Sequence, residues 1–126
     1  MDRPGYYIYI RDNEDGDYCS ISWQPVAKPF TEAAYRCRHG MSYTVYECRC
    51  RGLEASQTMF IPRGENVLLW DVRIKNTENR VRDISLFSYL EFSFHSINID
   101  NQNFQMSLYC AGSSYEDGII EEDLFY

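Results

Sequence analysis

No stretch of this chain approaches the ~20 consecutive apolar residues a membrane helix needs, and the opening Met1-Asp2-Arg3-Pro4-Gly5 lacks the apolar core of a secretory signal. A cytoplasmic location with no membrane partner is the expectation. Basic residues are a minority, 12 against 19 acidic, for a net charge of -7. A negative field repels phosphate backbones, which argues against nucleic acid as a partner. Arg36 and Arg38 flank Cys37, and they are expected as solvated strand-edge charge rather than an anion site. No Gly-rich phosphate loop, internal repeat or low-complexity tract is present. Histidine is scarce: His39 and His95 are the only two, and neither lies in a nucleophile motif.

Cysteine is present in an odd number, Cys19, Cys37, Cys48, Cys50 and Cys110. A chain of this size does not need a disulfide framework. Zinc would have to join Cys37-Arg38-His39 to Cys48-Arg49-Cys50, but each pair has one intervening residue where zinc sites usually have two to four. Buried, reduced thiols acting as small apolar side chains are expected, with no metal or other cofactor.

What the chain has in quantity is aromatic residues: 16% of 126 residues, against an ordinary apolar share of 44%. Eleven Tyr and seven Phe favour strands over a helical bundle. The length fits one domain with a real core. Short runs of period two recur at Tyr6 to Arg11, Tyr18 to Trp23, Ser42 to Cys50 and Leu53 to Ile61. Arg51-Gly52 separates the last two as a tight hairpin turn. Val67 to Lys75 places Leu68, Trp70, Val72 and Ile74 on one face and Asp71, Arg73 and Lys75 on the other. Trp70 is therefore expected in the core. Arg82 to Phe94 reads as a long strand that is partly apolar on both faces, a pattern usual for a strand that is central or packed between layers. Only Thr31 to Tyr35 suggests a helical turn. Phe104 to Cys110 reads as strand, and Ala111 to Ser114 as a turn. Strands every 8–12 residues with turns between them predict an all-β antiparallel sandwich. The apolar ending Leu124-Phe125-Tyr126 suggests an incomplete piece, a single partial domain over residues 1–126.

Between two of these strands lies Asp100-Asn101-Gln102-Asn103-Phe104-Gln105, one carboxylate and four amides around a Phe. Amides offer donors and acceptors together, an inventory that suits sugar hydroxyls. The same residues can also serve a turn through side-chain to backbone hydrogen bonds. Candidate acids are Asp71, Asp83, Glu91, Asp100 and the carboxylates from Glu116 to Asp123. None is accompanied by a basic phosphate cradle, so solvated or structural roles are expected for all of them and no catalytic residue is assigned.

Asp17 to Val26, Tyr35 to Thr44, Phe60-Ile61-Pro62 and Asn66 to Asn76 resemble, in order, the N-terminal region of cellobiose phosphorylase, and the resemblance extends through Tyr126. Members of that family are inverting disaccharide phosphorylases. They split cellobiose with inorganic phosphate into α-glucose 1-phosphate and glucose. The resemblance implies a mutarotase-like super-sandwich, followed in the family by a catalytic (α/α)6 barrel that is absent here and preceded by further sandwich sequence. It implies a homodimer, with a β-glucoside disaccharide and inorganic phosphate as partners of the full enzyme and the barrel normally in cis. This chain is then expected to support the barrel, contact a second subunit and wall the sugar site, and to be inactive alone. On the same grounds Asn101, Gln102, Asn103 and Gln105 become candidate substrate contacts. Cys19 departs from the family pattern, which usually has Trp there, and puts packing around that strand in question. The competing reading is a free-standing carbohydrate-binding β-sandwich module. Its requirement is an exposed aromatic platform.

Overall fold

The computed structural model describes residues 5–92, 98, 102–103 and 109–125. The fold is all-β with antiparallel pairing throughout. Among the described residues, nine strands follow in chain order: β1 (Tyr6–Asp12), β2 (Tyr18–Ser20), β3 (Ala33–His39), β4 (Tyr43–Cys50), β5 (Leu53–Phe60), β6 (Leu69–Asn76), β7 (Ile84–Leu90), β8 (Ala111–Glu116) and β9 (Ile119–Leu124). The chain divides into two compact units, residues 1–90 and 91–126.

The first unit is a two-sheet sandwich. One sheet has the order β2-β1-β7, the other β3-β4-β5-β6. Alternation along each strand decides what faces inward. Ile8 and Ile10 of β1 and Cys19 of β2 meet Ala33, Cys48, Cys50, Leu53 and Ala55 of the second sheet in one buried cluster, with Ile21 at its centre. Trp70, Val72 and Ile74 of β6 pack against that cluster. Asp71, Arg73 and Lys75 point the other way, so the pattern is followed from Trp70 onward, whereas Leu68, expected on the same apolar face, precedes the strand and is exposed. The outer face of the four-stranded sheet is charged. Arg38 pairs with Glu47 at 2.9 Å, Arg49 with Glu54 at 3.0 Å and Arg73 with Asp71 at 2.7 Å.

The expected hairpin at Arg51-Gly52 forms. Both residues have positive φ, 51° and 75°, the type I′ geometry that matches the twist of two paired strands. Three expectations fail. Thr31 to Tyr35 is not helical. Amides of Glu32 and Ala33 donate to the Pro29 carbonyl in one turn, after which β3 begins at once. Pairing with β4 across Ala33 to His39 overrides the weak local signal, and Arg36 and Arg38 become outward-facing strand positions. The long strand Arg82 to Phe94 stops at Leu90, and it lies at one end of its sheet's order instead of the centre. Leu86, Phe87, Tyr89 and Leu90 are exposed on its two faces.

The third failure lies in the second unit. Ala111 to Ser114, read as a turn, belongs to β8, and Tyr109 and Cys110, read as strand, are helical. The turn falls later, at Asp117-Gly118, with φ of 50° and 84°. Its type I′ geometry sets the register from Ala111↔Leu124 to Glu116↔Ile119. The Ser113 hydroxyl donates to Glu122 across the hairpin at 2.7 Å.

Candidate functional site

The amide loop is the first place to look. Asn101 and Gln105 lie outside the described residues, as do Asp100 and Phe104. Gln102 and Asn103 are described and both are exposed. The candidate acids that are described sit in ordinary surface roles. Asp71 is held by Arg73, Asp83 accepts from Asn13 at 3.0 Å, and Glu122 accepts from Ser113. His95 lies outside the described residues. His39 ends β3, where its Nδ1 meets Thr44 at 3.0 Å and its Nε2 meets Cys37 at 3.4 Å.

The thiols divide by strand face. Cys19, Cys48 and Cys50 are buried and form part of the core. Cys48 and Cys50 are two apart on β4 and so share a face, and Cys19 packs with both from the opposing sheet. The neighbouring Cys48 thiol and burial push the Cys19 thiol up to about 12, against an opposing effect of Cys50. Cys19 therefore sits in the core among small thiols, so that this part of the inter-sheet space is filled by three cysteines. Cys37 is exposed, which corrects the expectation that all five would be buried, and Cys110 is half-buried.

Two features at opposite ends of the sandwich were not foreseen from the sequence. At the end where β1 finishes and β7 begins, charged side chains from four connections interlock. Arg82 donates to Asp12 at 2.6 Å, to the Arg51 carbonyl at 2.6 Å and to Glu78 at 3.0 Å. The Asp12 and Arg82 side chains are only 5% and 3% exposed. Arg51 reaches Asp17 at 2.7 Å and also pairs with Asp15, and Lys28 closes on Asp17 at 2.7 Å. Hydrogen bonds from Lys28 and then Arg51 hold the Asp17 carboxyl down at about 2. Asp12 is also lowered, first by the amide of Glu14 and then by Arg82 and Arg51. Every charge has an opposite partner, so this cluster reads as structural bracing rather than a site poised for proton transfer.

At the other end the sheets part. A cleft of about 570 Å³ opens between Tyr6 of β1 and the inward faces of Tyr35, Tyr46 and Met59. Its mouth is formed by Ser22, Trp23, Gln24 and Phe30 from the connection between β2 and β3. Trp23 and Phe30 lie nearly parallel, with centroids 5.8 Å apart and planes 16° from each other. Phe30 meets Tyr35 edge-on at 6.3 Å, and Tyr6 packs on Trp70 at 5.6 Å. Trp23 is 43% exposed and Phe30 is 72% exposed. The sequence signal for this cleft was the aromatic excess, but nothing local showed that residues 6, 23, 30, 35 and 46 would converge. Among the described residues, no helix is long and apolar enough to cross a membrane, and no group of three or more residues is arranged to hold a metal ion.

Comparison with known proteins gives this geometry a context. The family model for the glycosyl hydrolase 94 supersandwich domain matches residues 1–125. The chain is 58% identical over 126 residues to N,N′-diacetylchitobiose phosphorylase of Vibrio proteolyticus, covering 100% of this chain and 16% of that protein. Its counterpart in Vibrio furnissii is 54% identical over the same span, again 16% of its length. Solabiose phosphorylase of Paenibacillus borealis is 32% identical over 114 residues, 90% of this chain and 14% of that protein. The chain thus spans about one sixth of the length of these relatives.

Proposed function

The chain belongs to the glycosyl hydrolase 94 supersandwich domain family, and from that premise we propose that it serves as sandwich scaffold in a phosphorylase of N,N′-diacetylchitobiose. The observation that carries the sugar assignment is the 58% identity, sustained over the whole chain, to an enzyme of that name, against 32% to the solabiose enzyme. The identities support an N-acetylated disaccharide over the cellobiose that the sequence resemblance implied.

Phosphorolysis joins a phosphate oxygen to the anomeric carbon as the glycosidic oxygen leaves with a proton from an acid. In the inverting scheme that acid and the phosphate act from opposite faces of the ring. The acid needs an enclosed environment that raises its pKa. Among the described residues, Asp12, Asp15, Asp17 and Glu78 are held low, the opposite of what such an acid needs, and Asp71 is paired with Arg73. The acid and the phosphate-binding groups are therefore assigned to a separate catalytic domain acting in cis. This chain supplies rigidity and one wall of the sugar site, in a homodimer and in the cytoplasm. Asn101, Gln102, Asn103 and Gln105 are proposed as sugar contacts of that wall, and the exposure of Gln102 and Asn103 is consistent with the role.

Two measurements test this. The isolated chain, given phosphate and either N,N′-diacetylchitobiose or cellobiose, should release no sugar 1-phosphate; turnover would overturn the supporting role. Transplanting residues 1–125 into the Vibrio proteolyticus enzyme in place of its own segment should preserve phosphorolysis of N,N′-diacetylchitobiose. A soluble, folded chimera without activity would count against the assignment.

A further inference from the structure

We propose that the aromatic cleft at the open end of the sandwich is a sugar-binding site in its own right. Its ligand class is a β-linked hexopyranoside whose ring substituents are equatorial. Such a ring presents a flat face of C–H groups, which packs on an aromatic plane while the hydroxyls stay at the edge.

Three observations carry this. The cleft volume, about 570 Å³, falls in the range of small-molecule sites. Trp23 and Phe30 stack nearly parallel, with planes 16° apart, and keep much of their surface open, an exposure that aromatics enclosed in a core lose. The lip combines this apolar platform with two polar residues, Ser22 and Gln24, whose hydroxyl and carboxamide suit ring-edge hydroxyls. Nucleic-acid bases also stack on aromatic planes, but their phosphates meet a chain of net charge -7. An acyl chain would fit an enclosed apolar channel, not an open cleft with a polar lip.

The platform comes from local geometry. The Trp23 carbonyl accepts from the Ala27 amide at 2.7 Å, and the Ser22 hydroxyl donates to the Gln24 carbonyl at 2.6 Å. Ser20, fully buried, ties the same segment by donating to the Ser22 carbonyl at 2.7 Å. Trp23 is thus presented by a braced loop, a preorganised surface that loses little freedom on binding.

The chain contains only two tryptophans, Trp23 and Trp70, so an ¹⁵N spectrum shows two indole signals, and Trp23→Phe identifies which is which. Titration with cellobiose or N,N′-diacetylchitobiose should shift the Trp23 signal saturably and well beyond the core Trp70 signal, with Kd on the order of 1–10 mM. Movement with either sugar supports the site, and the tighter of the two identifies the ring substituent preferred. Phe30→Leu, which keeps apolar volume and removes the stacked ring, should weaken binding about tenfold while the Trp70 signal stays in place. No saturable shift at about 100 mM sugar, or an equal shift with glycerol, would overturn the proposal. The outcome is independent of the phosphorylase assignment: the chimera can be active with a silent cleft, and the cleft can bind sugar in a chain that supports no phosphorolysis.

Discussion

Asp12 and Arg82, seventy positions apart, meet at 2.6 Å with both side chains almost fully enclosed. Arg82 also donates to the Arg51 carbonyl, so one guanidinium joins the end of β1, the β4–β5 turn and the entry to β7. A buried charge that loses its partner costs far more than a surface pair contributes. Arg82→Met should lower the melting temperature by roughly 10 °C or more. Replacing Asp12 by Leu in the same chain should restore part of the loss, which calorimetry of the single and double variants will show.

The carboxylates of this cluster make stability depend on acid. Asp17 titrates at about 2 in the folded chain, and Asp12, Asp15 and Glu78 are also lowered. A depressed carboxylate stabilises the fold above its ordinary pKa of ~3.9, and that contribution is lost as pH falls toward the folded value. The urea midpoint should therefore hold near pH 5 and drop between about pH 4 and pH 2. Asp17→Asn should be less stable at pH 5 and show a shallower acid loss. An unchanged slope would remove Asp17 from the account.

The Arg51-Gly52 turn separates two costs that usually come together. Gly52 and Gly64 both have positive φ, 75° and 88°. A Cβ on Gly52 would collide with the Glu78 side chain, while one on Gly64 meets open space. Gly64→Ala should cost only the backbone term, about 1–2 kcal/mol. Gly52→Ala should cost more, because Glu78 must leave Arg80 and Arg82 to make room. Equal losses in chemical denaturation would show that Glu78 shifts freely.

Thiol accessibility should follow strand face. In the folded chain at pH 8, a maleimide or disulfide reagent should label exposed Cys37 rapidly and Cys110 more slowly. Cys19, Cys48 and Cys50 should react only after unfolding, when all five are counted. Rapid labelling of Cys19 would mean that the inter-sheet thiol cluster opens in the native state.

Much of the architecture was legible because alternation has a period of two and a half-buried strand must obey it. The apolar face of β6, with Trp70, Val72 and Ile74, and the turn at Arg51-Gly52 could be read directly. The elements that were misread had weak local signals and strong distant partners. β3 carries Arg36, Arg38 and His39 and is held as a strand by its pairing with β4. β8 opens on the small residues Ala111 to Ser114 and is defined by a turn beyond it and by β9.

By itself, then, the sequence determined the fold class, the family and the approximate strand positions, since these depend on composition, periodicity and ordered motifs carried along the chain. Only the tertiary structure decided what stands at the two ends of the sandwich. Asp12, Arg51 and Arg82 are unremarkable charges until three connections bring them into hydrogen-bonding range. Tyr6, Trp23, Phe30 and Tyr35 are scattered aromatics until two sheets and one loop place them around a single cleft. Both sites are made of contacts between residues far apart in sequence, and a one-dimensional pattern does not carry that distance.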